Sequence, residues 1–384
     1  MRSNGRRRNV LTGALFAALV LCSASVASAQ DATTSGTKIM PEKTTAPYST
    51  EAVTSIGLDA GVTSLAADAN GNIYASLQFS KKVVKLNSSG TVVGTFAVGA
   101  NPTGLVVDNA NGHLYVLNNS DNTVSKLKLD GTPVGTYTVG GDGPVHAALL
   151  GSTLYIACER SNTLVRMSTS GAALGSTPVG KRPVWVVVAS SSSKTFTSLD
   201  DGTMTADAEA TSVESEPTAV EGETMTVEGE TTTVEGDAAM ASKPSSVTSV
   251  YVSCNKSDEV WKLSTSGGVV GKYATPRGPF GLAVNSKGEM LVACFWDGIV
   301  YRMSAAGVGL SKTAVGDGAA GVVAYGNVLA VISNGANTLT RLSLADGLVI
   351  SKDLVDRAPL AGAATSSALW VGCTGGGTIA RRSL

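Results

Sequence analysis

The stretch of residues 101–140, NPTGLVVDNANGHLYVLNNSDNTVSKLKLDGTPVGTYTVG, decides the fold, because the rest of the chain copies it. It holds four short apolar, β-branched runs: GLVVD, HLYVL, TVSKL and VGTYTV. Each run is bounded by Gly, Asn, Asp or Pro, the residues that tolerate turn geometry. Four strands in about 40 residues, repeated at a fixed period, are typical of one blade of a β-propeller.

Alignment of the chain against this stretch gives seven copies. The seventh copy stops after its third strand, whereas residues 50–60, TEAVTSIGLDA, look like a lone fourth strand near the other end of the chain. Pairing the two pieces would close a ring and cover two sheet edges. The sequence therefore predicts an all-β fold, a seven-bladed β-propeller whose last blade is closed by an N-terminal strand. The copies are 62–99, 101–140, 143–180, 182–189 with 249–273, 278–316, 317–356 and 358–382.

One column of the alignment tests its register. The third strand of every copy reads apolar-x-basic-apolar, and the basic position holds Lys or Arg in all seven copies. We interpret these side chains as stems that cover an apolar neighbour while their charge reaches water. The seven residues are Lys85, Lys126, Arg166, Lys262, Arg302, Arg341 and Arg381.

The start of the chain predicts export. Within residues 1–29, several arginines precede the apolar run 11–20, and Ala-Ser-Ala at 27–29 is a small-residue cleavage site, as in a signal peptide. Residues 30–48, rich in Thr and Pro, are predicted to be a disordered linker, and 49–384 to form the propeller. No later stretch reaches eighteen uninterrupted apolar residues, so we expect no membrane span and a secreted protein, extracellular or periplasmic.

Residues 192–246 interrupt blade four with a low-complexity segment built on repeats such as VEGETMT and VEGETTT. Between Lys194 and Lys243 it has twelve acidic and no basic side chains, whereas basic side chains outnumber acidic ones in the rest of the mature chain. We predict a disordered acidic insertion. It could be a solvated spacer, an arm that binds a partner or cations, or a lid. Because it joins the first and second strands, it should leave from the face opposite the site described below.

The pattern P-x-G-x-x-V-D, then L-Y-V, N-T-V and V-G-T-x-x-V-G, resembles the YVTN family of β-propellers and, more loosely, NHL repeats, over residues 60–384. The resemblance implies a propeller that binds something. Relatives by fold, the virginiamycin B lyases and gluconolactonases, are metal-dependent enzymes with His or carboxylates around the central channel. This chain has two histidines, His113 and His146. We expect a non-enzymatic binding scaffold without a cofactor. The alternative is a divergent lactonase- or lyase-like enzyme with a divalent metal in the channel.

The candidate ligand site lies where the inner strands begin. Two positions after the start of the inner strand most copies have Gly, Ser or Ala, but the third and fourth copies have His146 and Trp185. Small residues there should keep the channel mouth open, and the two bulky ones should fill one sector of it. The cluster would suit a protein, or a small anionic or carbohydrate ligand; alternatively, the rings only plug the sector and the arginines are solvated. Neighbouring loops add Arg182, Arg277, Phe280, Glu159, Arg160, Phe295 and Trp296.

Four cysteines of the mature chain share one alignment column, which predicts buried free thiols. Column mates in adjacent blades should lie about 10 Å apart, too far for a disulfide. We expect no nucleic-acid partner, because the basic column is spread around the ring. We also expect the chain to be a monomer. The column contains Cys158, Cys254, Cys294 and Cys373, with Leu77, Asn118 and Ile332 assigned to it in blades one, two and six.

Overall fold

The computed structural model describes residues 38–40, 54–58, 61–190 and 248–384, all within one compact unit, 37–384. The predicted signal peptide and the acidic insertion 192–246 lie outside the described residues, as does most of the predicted linker. Every element of the described chain is a β-strand. The strands form seven sheets, which confirms the predicted all-β propeller.

Two short strands precede the blades, and each blade then contributes its strands in order from the inner to the outer edge. The leading strands are β1 (Lys38–Met40) and β2 (Thr54–Gly57). Blade one contains β3 (Val62–Ala67), β4 (Ile73–Leu77), β5 (Lys82–Leu86) and β6 (Val92–Ala97). Blade two contains β7 (Pro102–Asp108), β8 (His113–Asn118), β9 (Thr123–Lys128) and β10 (Pro133–Thr138). Blade three contains β11 (Pro144–Leu150), β12 (Thr153–Cys158), β13 (Thr163–Ser168) and β14 (Ala173–Pro178).

The later blades follow the same plan up to the last. Blade four contains β15 (Pro183–Ser190), β16 (Thr248–Cys254), β17 (Glu259–Ser264) and β18 (Val269–Ala274). Blade five contains β19 (Pro279–Val284), β20 (Met290–Cys294), β21 (Ile299–Met303) and β22 (Gly309–Ala314). Blade six contains β23 (Ala319–Tyr325), β24 (Val328–Ser333), β25 (Thr338–Ser343) and β26 (Val349–Leu354). Blade seven contains β27 (Pro359–Ala364), β28 (Ala368–Cys373) and β29 (Thr378–Ser383).

The ring closes as the sequence predicts. The inner strand of each blade contacts the inner strand of the next, and β27 of blade seven contacts β3 of blade one. The N-terminal strand β2 pairs antiparallel with β29 and so supplies the missing outer strand, with Thr54 opposite Arg381. Blade five gains a fifth strand, because β1, from the segment predicted to be a linker, pairs parallel with β22.

Six of the seven seams between blades are closed by an outer-strand side chain that packs on a glycine of the next blade. In blade two the Tyr137 ring lies over Gly171, and in blade one the Phe96 ring lies over Gly131. Both glycines have a positive φ, a backbone conformation that is strained for a residue with a side chain. A Cβ on either glycine would also collide with the aromatic ring. The equivalent pairs elsewhere are Thr177 with Gly267, Tyr273 with Gly307, Thr313 with Gly347 and Ile56 with Gly90.

The basic column strengthens the same seams. Its register is confirmed, since all seven residues pair with equivalent positions of the second strand. The charged groups do not simply extend into water, however. Lys85 Nζ donates to the Leu129 carbonyl of the next blade at 3.0 Å, and Lys126 Nζ donates to that of Thr169 at 3.0 Å. Both turn carbonyls are only half-buried, and these amines contribute hydrogen bonds to them across the seam.

The seam between blades six and seven has a different chemistry. The residue equivalent to Tyr137 is Asp353, and blade seven has no third-to-fourth turn to receive it, because its outer strand is β2 from the N-terminal part of the chain. Asp353 Oδ2 lies 2.8 Å from Arg341 Nη1, and Asp353 Oδ1 lies 3.7 Å from Arg382 Nη1 of blade seven. Asp353 and Arg382 are almost fully buried. A charge cluster therefore takes the place of the ring and the glycine.

The four thiols are free and buried, as predicted. Burial raises the pKa of Cys158, Cys254 and Cys373 to about 12, and it raises that of Cys294 as well. The assignment of Ile332 to the cysteine column is wrong, because Ser333 occupies the paired position opposite Ala319. The cysteines therefore act as small apolar residues in four of the blades.

Candidate functional site

The upper face is defined here as the end of the ring at which the inner strands begin. The hairpins between second and third strands lie at the same end, since Asn255 N–H donates to the Arg182 carbonyl at 2.9 Å and Phe295 N–H to that of Gly278 at 2.8 Å. The insertion joins β15 to β16 at their other ends. Its attachment points are therefore on the opposite face, as predicted.

The residue before each inner strand adopts a left-handed conformation, and one blade places an arginine there. Arg182 has a φ of 54°, a region that costs a residue with a Cβ about 1–2 kcal/mol. Its N–H donates to Asn162 Oδ1 of the preceding blade at 2.8 Å, which holds the turn in place. The equivalent residues are Gly61, Asn101, Gly143, Gly278, Gly318 and Ala358.

His146 and Trp185 lie together, as the alignment predicts, but inside the ring. Their rings stack with centroids 4.1 Å apart and planes inclined by 20°, and each side chain is 5% exposed. His146 Nδ1 accepts a hydrogen bond from the Val186 N–H at 3.2 Å. Burial lowers the pKa of His146 to about 3, so the imidazole is neutral at physiological pH.

The small residues of that column have a different reason from the one predicted. A Cβ on Gly104 would lie 2.8 Å from the Val145 carbonyl oxygen, and one on Gly281 would meet the Ala320 carbonyl. The column therefore faces the neighbouring inner strand. The residue one position earlier is half-buried in most blades, as at Val145 and Phe280.

The predicted arginines of blades three and four are engaged with the protein itself. Arg160 donates from Nε to Asp142 at 2.9 Å and from Nη1 to Asn119 Oδ1 at 2.7 Å. Its Nη2 also reaches the Asn119 carbonyl at 2.8 Å. Arg182 Nε lies 3.3 Å from Glu159 Oε2. These contacts fix the guanidinium groups and leave them few donors for a ligand.

Blade five presents an aromatic series on the upper face. Trp296 is 55% exposed and meets Phe295 edge to face at 4.8 Å, and Phe295 lies 6.1 Å from Phe280. We call these three residues the aromatic ladder. Arg277, with a 71% exposed side chain, borders it and pairs with Asp297 at 2.7 Å. The ladder leads from solvent towards the channel mouth.

The structure thus brings the predicted residues into three groups: the stacked pair His146 and Trp185, the paired Glu159, Arg160 and Arg182, and the ladder with Arg277. Sequence reasoning missed Phe79, a 58% exposed aromatic residue in the equivalent hairpin of blade one. The signal was available, because Phe79 and Trp296 occupy the same alignment column.

Neither a metal centre nor a spanning helix is found in the part of the chain that the structure describes. No three His, Cys, Asp or Glu side chains of these residues come close enough together to hold a metal ion. The described donors therefore do not fit the divalent metal of the enzymatic alternative. The described residues also include no helix long and apolar enough to cross a membrane.

Comparison with known proteins supports the fold. No family model matches the chain, and no similar sequence was found among curated proteins. Among solved structures, a streptogramin B lyase matches with a TM-score of 0.64 at 12% identity, over 87% of this chain and 98% of that one. Virginiamycin B lyase from Staphylococcus aureus matches with a TM-score of 0.63 at 12% identity, over 87% and 99% of the two chains. Kuenenia stuttgartiensis hydrazine synthase gives 0.62 at 14% identity, over 86% and 97%. Likeness at this identity shows the propeller fold alone.

Proposed function

We propose that this chain is an exported, non-enzymatic propeller that binds a protein or a small anionic or carbohydrate ligand on the upper face of blades three to five. The exposed indole of Trp296 carries the proposal. Trp is enriched where binding energy concentrates in protein interfaces, and this indole adjoins two further aromatic rings rather than standing alone.

The surroundings of Trp296 support a platform rather than a mobile side chain. The indole packs over Gly278, whose missing Cβ leaves room for it, and Phe295 supports its edge. Little rotamer entropy would be lost on binding, because the ring is already held in place. A ligand with an apolar or ring-shaped face would cover the ladder.

The charges favour a neutral or weakly anionic ligand over a strongly anionic one. Arg160 and Arg182 are paired within the protein, which leaves Arg277 as the cation with the most exposed side chain beside the ladder. Because Arg277 already forms an ion pair with Asp297, we expect it to donate one further hydrogen bond to a ligand carboxylate or hydroxyl. We infer an export route from the basic, apolar and Ala-Ser-Ala leader, and a spacer or partner-contact role for the acidic insertion.

The test compares two exposed aromatic residues of the same column. Immobilised oligosaccharides and a library of short peptides are screened with the mature chain, and the best probe is then titrated against Trp296→Ala and Phe79→Ala. Loss of a central aromatic contact costs about 2 kcal/mol, so Trp296→Ala should weaken binding about 30-fold while Phe79→Ala leaves it unchanged. Equal affinity of both variants would place the ligand elsewhere. Repeating the titration with a variant that lacks residues 192–246 measures how much the insertion contributes to the affinity.

The enzymatic alternative rests on the fold shared with the lyases. It requires a metal, so the metal content of the purified chain discriminates. Stoichiometric Ca²⁺, Mg²⁺ or Zn²⁺, lost on substitution of channel residues, would favour the enzyme, and substoichiometric metal would favour the binding scaffold.

A further inference from the structure

Two adjacent turns of blade five place a charged pair beside the exposed indole of Trp296. Trp296 N–H donates to the Arg277 carbonyl at 3.4 Å, and a Cβ on the next residue, Gly278, would meet the Cδ1 and Nε1 edge of the indole. Asp297, which follows Trp296, accepts from the Arg277 backbone N–H and from its side-chain Nε, each at 2.8 Å. An aromatic surface, a hydrogen-bond donor and an acceptor therefore meet at one corner of the upper face.

The turn itself does not need both carboxylate oxygens of Asp297. In blade four the backbone N–H two residues before the inner strand, that of Lys181, is bound by the single hydroxyl of Ser257 at 3.1 Å. In blade five Asp297 Oδ2 takes this role, and Oδ1 binds the Arg277 guanidinium. The Arg277 side chain is 71% exposed, and an exposed ion pair stabilises a fold by under about 1 kcal/mol. Stability alone therefore gives little reason for this pair.

A ligand with hydroxyl groups matches the pair better than an ion does. A carboxylate would be attracted to Arg277 but repelled by Asp297, and an ammonium group would meet the reverse. A hydroxyl both donates and accepts, so two neighbouring hydroxyls satisfy the guanidinium and the carboxylate together. A proline-rich peptide also packs on aromatic rings, but proline has no N–H to donate to Asp297.

The indole suits the apolar side of the same ligand. Of the four tryptophans, all within the described residues, Trp296 is the exposed one, at 55%. Gly278 and the edge-to-face contact with Phe295 hold the ring, so it presents a fixed apolar surface to solvent. A pyranose ring has C–H groups on one face and hydroxyls around its rim. Stacking of the C–H face on the indole would remove apolar surface from water.

We propose that Trp296, Arg277 and Asp297 form a binding site for one pyranose unit of a neutral oligosaccharide. The C–H face of the sugar lies on the indole, one hydroxyl accepts from Arg277, and a neighbouring hydroxyl donates to Asp297. The inference rests on the proposed function and narrows its ligand to one class. Phe79 of blade one supplies a contrast, because it is similarly exposed and packs on Gly61, but its hairpin continues with two exposed lysines and has no carboxylate.

The test follows the ¹⁵N–¹H indole signal of Trp296 in the mature chain, assigned with Trp296→Phe. The neutral probes are cellotriose, maltotriose, mannotriose and chitotriose, the anionic probe is trigalacturonate, and the peptide probe is hexaproline. We expect at least one neutral probe to shift the Trp296 signal to saturation, with a dissociation constant on the order of 1 mM. The signal of Trp370, which is fully buried, should stay fixed and so control for a change of bulk solvent.

Three variants separate stacking from the charged pair. Trp296→Ala should weaken binding of the best neutral probe about 30-fold, and Phe79→Ala should leave it unchanged. Affinities of these variants are measured by calorimetry. Asp297→Asn should weaken the neutral probe about fivefold, because a charged acceptor is lost. The same change should strengthen binding of trigalacturonate about fivefold, because Arg277 loses its counter-charge. A purely structural role of Asp297 would move both affinities in the same direction.

Three results would overturn the sugar site: no neutral probe shifts Trp296, neutral binding survives in Trp296→Ala, or Asp297→Asn moves both affinities together. If trigalacturonate or hexaproline shifts Trp296 and no neutral probe does, the ladder still binds a ligand and only the sugar is excluded. If no probe of any class shifts Trp296, the proposed function fails together with the sugar site.

Discussion

The seam between blades two and three and the seam between blades six and seven join similar sheets by different means. In the first, Tyr137 packs on Gly171 of the next turn. In the second there is no such turn, because the outer strand of blade seven is β2, and Asp353 meets Arg341 and Arg382 instead. Where the next blade supplies a turn, a side chain packed on its glycine and hydrogen bonds to its carbonyls join the two blades. Where it does not, a buried charge cluster fills the same place and needs all its members.

The largest effect should come from Asp353→Asn at the last seam. The substitution keeps the shape but leaves two arginines without their counter-charge, and Arg382 is 2% exposed. Removal of one partner from a buried ion pair costs about 3–5 kcal/mol. The free energy of unfolding, from urea titration of the mature chain, measures the loss.

The matched control is Asp297→Asn, which breaks an ion pair of similar geometry whose arginine is largely exposed. It should cost under about 1 kcal/mol. If Asp353→Asn proves as mild as this control, the cluster does not hold the seam, and the proposed contrast with the other seams is lost.

A turn substitution probes the regular seam. Gly171→Ala places a Cβ at a φ of 90° and against the Tyr137 ring, so strain and crowding add to about 2–4 kcal/mol. Gly112→Ala also occupies a positive φ, of 66°, but has nothing within 4 Å of the added Cβ, and should cost about 1 kcal/mol. Equal losses in thermal or urea unfolding would mean that the ring adds nothing to the seam.

Alkaline pH should weaken the seams that contain a thiol. The Cys254 side chain is tightly packed, since a Cβ on Gly180, which precedes blade four, would lie 2.8 Å from Cys254 Cβ. In blade six, Ser333 occupies the cysteine column instead of a thiol. Burial raises the pKa of Cys254 from 9.0 to about 12. The unfolded chain therefore releases the proton first, and stability, complete below pH 9, falls by about 1.4 kcal/mol per pH unit above it. Cys254→Ala should reduce the slope of unfolding free energy against pH by that amount, and an unchanged slope would contradict the buried thiol.

The regular seams were more predictable from sequence than the site. A fixed period of short β-branched runs predicts blades, and a seventh copy with three runs beside a lone early run predicts the pairing of β2 with β29. The channel mouth was less predictable, because a β-bulge follows the first residue of the inner strand, between Pro144 and His146 for example. A bulge exchanges the faces to which successive side chains point, and a sequence does not reveal it. The stacking of His146 on Trp185 depends on ring orientation, which only coordinates provide.

The smallest predicted effect comes from a single hydrogen bond across a regular seam. Tyr155 donates its hydroxyl to the Thr265 carbonyl of the next blade at 2.9 Å, so Tyr155→Phe should cost about 1 kcal/mol in urea unfolding. Tyr273→Phe is the control, because its bond to Ala305 is 3.5 Å long and exposed, and it should cost about half as much or less. In blade six the residue equivalent to Tyr155 is Ala330, which has no hydroxyl. A regular seam thus sums several small bonds to turn carbonyls, whereas the last seam has no such turn and concentrates its stability in Asp353. A loss of 3 kcal/mol or more in Tyr155→Phe would contradict this division.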